Sequence, residues 1–153
     1  MPPPSNRPSL HLQVLSEPFF VVQLQAGGEL PPCILKDLTA GRGKFFSITR
    51  TDEEISLVGE SYKWMPDDYK EQSTWSCIKI TGPMEHSRLT NLTGILTEFT
   101  APLKAAKVPL FALSTWNTDY VLVPSAMAKD AVNALEKDGW IFVQGKKDRT
   151  ARL

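Results

Sequence analysis

Apolar and polar residues alternate in short runs through the first third of the chain and recur at helical spacing in the second half. Leu10-His11-Leu12-Gln13-Val14-Leu15 begins as an alternating strand, and Glu17-Pro18 punctuates it. Phe19-Phe20-Val21-Val22-Gln23-Leu24 predicts a second strand. Residues 26–44 carry four Gly and two Pro, with a weak helical piece at 32–38. Residues 45–49 and 55–58 are strand-like and flank a polar turn at 50–54, which is a hairpin signal. Residues 61–74 follow neither period and read as a linker.

The second half is patterned more clearly. Cys77-Ile78-Lys79-Ile80 is a strand closed by Gly82-Pro83. Leu92, Ile95, Leu96, Phe99 and Leu103 form one apolar stripe of an amphipathic helix, with Pro102 inside it predicting a kink or a distorted last turn. Residues 108–114 and 120–123 are strands joined by Thr115-Trp116-Asn117-Thr118-Asp119. Pro124-Ser125 opens a second helix with Met127, Ala131, Val132 and Leu135 on one face, and Gly139 stops it. Trp140-Ile141-Phe142-Val143 reads as the closing strand. The order is βαββαβ, a ferredoxin-like α+β arrangement with two helices on one face of an antiparallel sheet.

An internal echo extends this to the first half. Residues 45–58 lie over residues 110–123 without a gap: apolar positions coincide, Thr49 falls on Ser114 and Glu54 on Asp119. Two tandem ferredoxin-like lobes are therefore expected, the first degenerate with an abbreviated helix. The expected division is a tail at 1–8, the degenerate lobe at 9–60, a linker at 61–74, the second lobe at 75–145 and a tail at 146–153.

Composition narrows the function classes. Seventeen Lys and Arg balance 17 Asp and Glu, which argues against a dedicated nucleic-acid binder needing basic excess to neutralise phosphates. The apolar runs fall well short of the roughly 20 residues a membrane helix needs, and Met1-Pro2-Pro3-Pro4-Ser5 has no apolar signal region, so a cytoplasmic chain without membrane contact is expected. Cys33 and Cys77 stand in no metal-ligand spacing; two thiols in a reducing compartment are the simplest reading, with one disulfide as the alternative. Neither His11 nor His86 falls into a catalytic arrangement. Gly41-Arg42-Gly43-Lys44 lacks the phosphate-loop spacing and runs into a strand. The chain is thus expected to be no enzyme, with no metal and no cofactor.

One strand-to-helix loop carries chemistry. Between Gly82 and Gly94 the chain enters a helix whose first N–H groups lack intrahelical partners, a natural carboxylate site. Ser87, Thr90, Asn91 and Thr93 are all capable caps there, which is the purely structural role. The 114–119 turn adds hydroxyls, a Trp and a carboxylate. A free amino acid needs donors for its carboxylate and acceptors for its ammonium, and these two segments supply both.

Leu92-Thr93-Gly94-Ile95-Leu96, Ala101-Pro102-Leu103 and Leu113-Ser114-Thr115-Trp116-Asn117-Thr118-Asp119-Tyr120-Val121-Leu122-Val123 resemble the ACT-domain family of the CASTOR type, which includes the animal cytosolic arginine sensors. Phe46-Ser47-Ile48-Thr49-Arg50-Thr51 and Gly82-Pro83 extend the likeness over most of residues 10–143. The resemblance implies a non-catalytic regulatory fold that binds a small metabolite, usually a free amino acid, between ACT lobes. Carried over by position, the ligand contacts are Thr93 and Gly94 in the loop and Thr115, Trp116, Thr118 and Asp119 in the turn. Two departures bear on the ligand: Leu92 stands where the sensors carry an acidic residue, and the loop is longer, with Arg88 and Asn91. A missing carboxylate weakens a case for a guanidinium, which favours bidentate acceptors. With two lobes, the chain would have to form a homodimer to build the sensors' four-lobe arrangement and present it to a regulated protein partner. The alternative is an adaptor on the same lobes that binds proteins and no small ligand.

Overall fold

The computed structural model describes residues 7–82 and 94–144. In chain order the first elements are β1 (Leu12–Val14), β2 (Phe19–Gln25), α1 (Pro32–Ala40), β3 (Phe46–Arg50), β4 (Glu54–Glu60) and α2 (Asp67–Lys70). They are followed by β5 (Trp75–Ile80), α3 (Ile95–Ala105), β6 (Phe111–Ser114), β7 (Asp119–Pro124) and α4 (Ala128–Lys137). The chain divides into two compact units: an inserted unit, Glu17–Ser76, and a split unit made from Met1–Ser16 and Cys77–Leu153. That division departs from the expected one, because the first strand joins the later segment and residues 61–74 join the inserted unit.

In the inserted unit the strand order is β3-β4-β2. β2 pairs antiparallel with β4 from Phe19↔Glu60 to Gln25↔Glu54, and β3 pairs antiparallel with β4 from Phe46↔Gly59 to Arg50↔Ile55. Trp75 lies opposite Phe19. Strand alternation sends Phe20, Val22, Ile55 and Leu57 to one face, where they cluster with Ile34 of α1. Met65 and Tyr69 are buried in the same cluster, so the segment read as a linker supplies core and a one-turn helix. The helix expected to be abbreviated, between β2 and β3, is α1 with nine residues against eleven in Ile95–Ala105 of the second lobe, and α2 has four. The Gly-rich stretch left room for α1 because its glycines serve the helix end: Gly41 sits at φ 73° and Arg42 N–H donates to the Asp37 carbonyl at 3.1 Å, a Schellman stop.

In the split unit the order is β1-β5-β7-β6. β1 pairs antiparallel with β5, Leu12↔Ile80 through Val14↔Ile78, and β6 with β7, Phe111↔Leu122 through Ser114↔Asp119. The fourth strand position of the ferredoxin-like order therefore goes to the N-terminal segment. Residues 140–143, expected as the closing strand, contribute a single parallel bridge, Leu12↔Phe142. Leu12 N–H donates to the Ile141 carbonyl at 2.8 Å and Val143 N–H to the Leu12 carbonyl at 2.7 Å. Leu12 alternates inward and is fully buried, which fixes its strand between the two neighbours. Ile78, Ile80, Val121 and Val123 pack with Phe99 of α3 and Leu135 of α4, and Trp140 meets Phe99 edge-on at 5.4 Å.

The strand expected at 108–114 begins only at Phe111 because the preceding residues close α3. Lys107 N–H donates to the Lys104 carbonyl and Val108 N–H to the Leu103 carbonyl, each at 3.0 Å, and Leu103 and Val108 share the core. That is a Schellman stop with Lys107 at φ 59° where glycine is usual. Gly139 ends α4 in the same way, with Trp140 N–H on the Leu135 carbonyl at 3.0 Å. Pro102 lies inside α3 and deprives the Glu98 carbonyl of its helical donor. Leu92 lies outside the described residues.

Candidate functional site at the turn before β7

The segment between β6 and β7 is a four-residue turn built around one threonine. Thr115 N–H donates to the Thr118 carbonyl at 2.9 Å. The Thr115 hydroxyl oxygen accepts the N–H groups of Asn117 and Thr118, each at 3.3 Å. Short hydroxyls stabilise such turns by standing in for a main-chain acceptor. The Thr118 hydroxyl donates to the Ile80 carbonyl at 2.7 Å and is fully buried. This bond ties the turn to the end of β5, where the Gly82 loop begins.

Gly82 closes the corner from the other side. It sits at φ 65°, and its N–H donates to the Ser9 carbonyl at 2.8 Å. A Cβ built there would lie 3.1 Å from the Thr118 Cβ, so glycine is required twice over, by conformation and by close approach. The sequence marks Gly82-Pro83 as the end of a strand, the start of the loop and part of the family resemblance, without its contact with Thr118. A glycine at that place is the one signal from which its second role could have been read.

Asp119 opens β7 and is 8% exposed. The Ser114 hydroxyl, directly across the hairpin, donates to its Oδ1 at 2.5 Å. Its Oδ2 has no hydrogen-bond partner among the described residues. With one oxygen engaged and the other, which is not among the fully buried unpartnered atoms, left accessible, this carboxylate is an acceptor for a cationic or N–H group of a guest. Trp116, at the tip of the turn, is 85% exposed.

Of the six nominated contacts, Thr115, Trp116, Thr118 and Asp119 thus share one turn, with the Thr115 and Thr118 hydroxyls already engaged by the protein. Gly94 precedes α3 at φ 87°, and a Cβ there would meet nothing within 4 Å, so its conformation is what requires glycine. Thr93 lies outside the described residues, as does His86. Cys33 is exposed and Cys77 buried, and no disulfide joins them. Among the described residues no group of three or more His, Cys, Asp or Glu is placed to hold a metal ion, and no helix is long and apolar enough to cross a membrane. A separate open groove of about 550 Å³ lies between α3 and α4, lined by Pro102, Ala105, Ala106, Asp130, Ala134 and Lys137 among others. None of the five nominated residues that are described lines it.

Comparison with known proteins shows what the chain resembles in sequence and fold. Residues 70–137 match the model of the ACT domain. The chain is 28% identical over 107 residues to the Bos taurus protein named cytosolic arginine sensor for mTORC1 subunit 1, a match covering 66% of this chain and 32% of that protein. The chain therefore spans about a third of the length of that relative. The solved structure of protein Atu0741 from Agrobacterium tumefaciens is 27% identical, with a TM-score of 0.67, covering 90% of this chain and 94% of that one. A structure of aspartokinase alpha and beta subunits, 12% identical, shares the fold with a TM-score of 0.57 over 84% of this chain and 96% of that one. The ACT-domain match thus lies in the second half of the chain, and the chain is similar to the cytosolic arginine sensors.

Proposed function

We propose that this protein is a non-catalytic regulator that binds a free amino acid at the corner formed by the turn before β7 and the loop that starts at Gly82. The observation that carries the reading is the Asp119 carboxylate, nearly buried yet with Oδ2 unbonded among the described residues. It accepts the ligand's ammonium or side-chain N–H groups. Thr118 and Gly82 hold the corner in shape, and the loop entering α3, with Thr93 and Gly94, supplies main-chain donors to the ligand carboxylate. Thr115 fixes the turn through its hydroxyl, leaving Trp116 as a wall over the ligand. The likeness to a relative named as a cytosolic arginine sensor supports an amino-acid ligand and a cytoplasmic site of action. A homodimer supplies further lobes, and ligand shifts its population toward one packing that a protein partner reads.

Thermal-shift screening with the twenty amino acids at millimolar concentration tests this directly. Mass action gives about 2.7 kcal/mol of apparent stabilisation at a hundred times Kd. At least one amino acid is expected to raise Tm, and Asp119→Ala is expected to abolish that rise while leaving the fold intact. A chain stabilised by none of them contradicts the reading and favours the adaptor alternative.

A further inference from the structure

The turn before β7 is built a second time, before β4. The Thr51 hydroxyl oxygen accepts the N–H groups of Glu53 and Glu54, each at 3.1 Å, and Thr51 N–H donates to the Glu54 carbonyl at 2.9 Å. Thr115 makes the same three bonds with Asn117 and Thr118. Thr51 is thus the structural counterpart of Thr115, one residue out of step with the gap-free sequence overlay, which set it against Trp116. In this true register the residue after each turn is Ile55 in the inserted unit and Asp119 in the split unit. Each faces the last residue of the preceding strand, Arg50 or Ser114.

The two corners then differ in one decisive position. Ile55 is 5% exposed and belongs to the apolar cluster that includes Ile34, from the first turn of α1, and Leu57. The protein's own side chains fill that corner. Asp119 is about as buried, yet it offers a carboxylate with an unbonded oxygen.

We infer that the chain holds one ligand per copy, at the Asp119 corner, and that Ile55 closes the counterpart in the inserted unit; the residue following the threonine turn decides which unit binds. The inference rests on the reading of Asp119 as a ligand contact. Titration calorimetry on the full chain with each of the twenty amino acids, alongside Asp119→Ile and Asp119→Asn, tests it. The expected result is one binding event per chain for the amino acid that binds, lost in both variants. Two events per chain, or binding that survives in Asp119→Ile, would overturn it. Binding by none of the twenty would overturn it together with the amino-acid reading, whereas two events per chain would overturn the inference alone.

Discussion

Lys107 and Glu60 are two residues whose native setting works against them. Lys107 is exposed and takes φ 59° to close α3, a conformation that costs a side-chain-bearing residue roughly 1–2 kcal/mol. Glycine at that place loses more entropy on folding, so Lys107→Gly is expected to stabilise by a net of about 0.5–1 kcal/mol, read as a higher urea midpoint at unchanged m value. Glu60 is 7% exposed, and burial raises its pKa, with Glu17 adding to the rise and Lys44 opposing it through its charge and a main-chain hydrogen bond. The folded chain therefore keeps this proton to a higher pH than the unfolded chain. Its contribution to stability is greatest below the ordinary carboxylate value of 4.5 and falls as pH rises from there through the raised folded value. Glu60→Gln should remove that fall and stabilise the protein at neutral pH; an unchanged pH profile would show that Glu60 is paired well enough to offset its burial. Neither residue was legible in the sequence, because a positive φ and a buried carboxylate are set by what surrounds them.

Elements were easier to read than their ends. The stripe Ile95, Phe99 and Leu103 specified α3, and all three residues are buried. Its C-terminus was missed as a motif because the stop uses Lys107 instead of glycine, so the apolar run from Val108 looked like one strand. The hairpins were legible too, but their register was not. Shifting one hairpin by a residue on each strand exchanges its faces, but Leu57 and Val58, like Val121, Leu122 and Val123, are apolar on both, so the apolar pattern fits either alignment. Only the hydrogen bonds of Thr51 and Thr115 separate the two. At this scale Gly82 is the most exacting position. Gly82→Ala puts a methyl 3.1 Å from the Thr118 Cβ at φ 65°. It is expected to cost about 1–2 kcal/mol and to weaken ligand binding beyond what the stability loss explains. A loss of stability with ligand affinity unchanged would separate the glycine loop from the site.

For the molecule as a whole, the least legible fact is that the N-terminal strand belongs to the split unit. Sequence order set Leu10 and Leu12 in the first lobe, where an alternating strand would serve equally well. Nothing local records that β1 pairs with β5, a partnership between segments more than sixty residues apart. The consequence is measurable. Leu12 is fully buried, so Leu12→Ala should cost about 2–5 kcal/mol and speed amide exchange at Ile78 and Ile80, its neighbours in the split unit. Leu38→Ala on the exposed side of α1 should stay within about 0.5 kcal/mol. Equal effects from the two substitutions would refute the assignment of β1 to the split-unit core.

The most direct measurement is a crystal structure of the chain soaked with whichever amino acid raises its Tm most. The ligand is predicted to lie within hydrogen-bond distance of Asp119 Oδ2, beside the 115–118 turn. Density in the groove between α3 and α4, with the Asp119 corner untouched, would contradict the account.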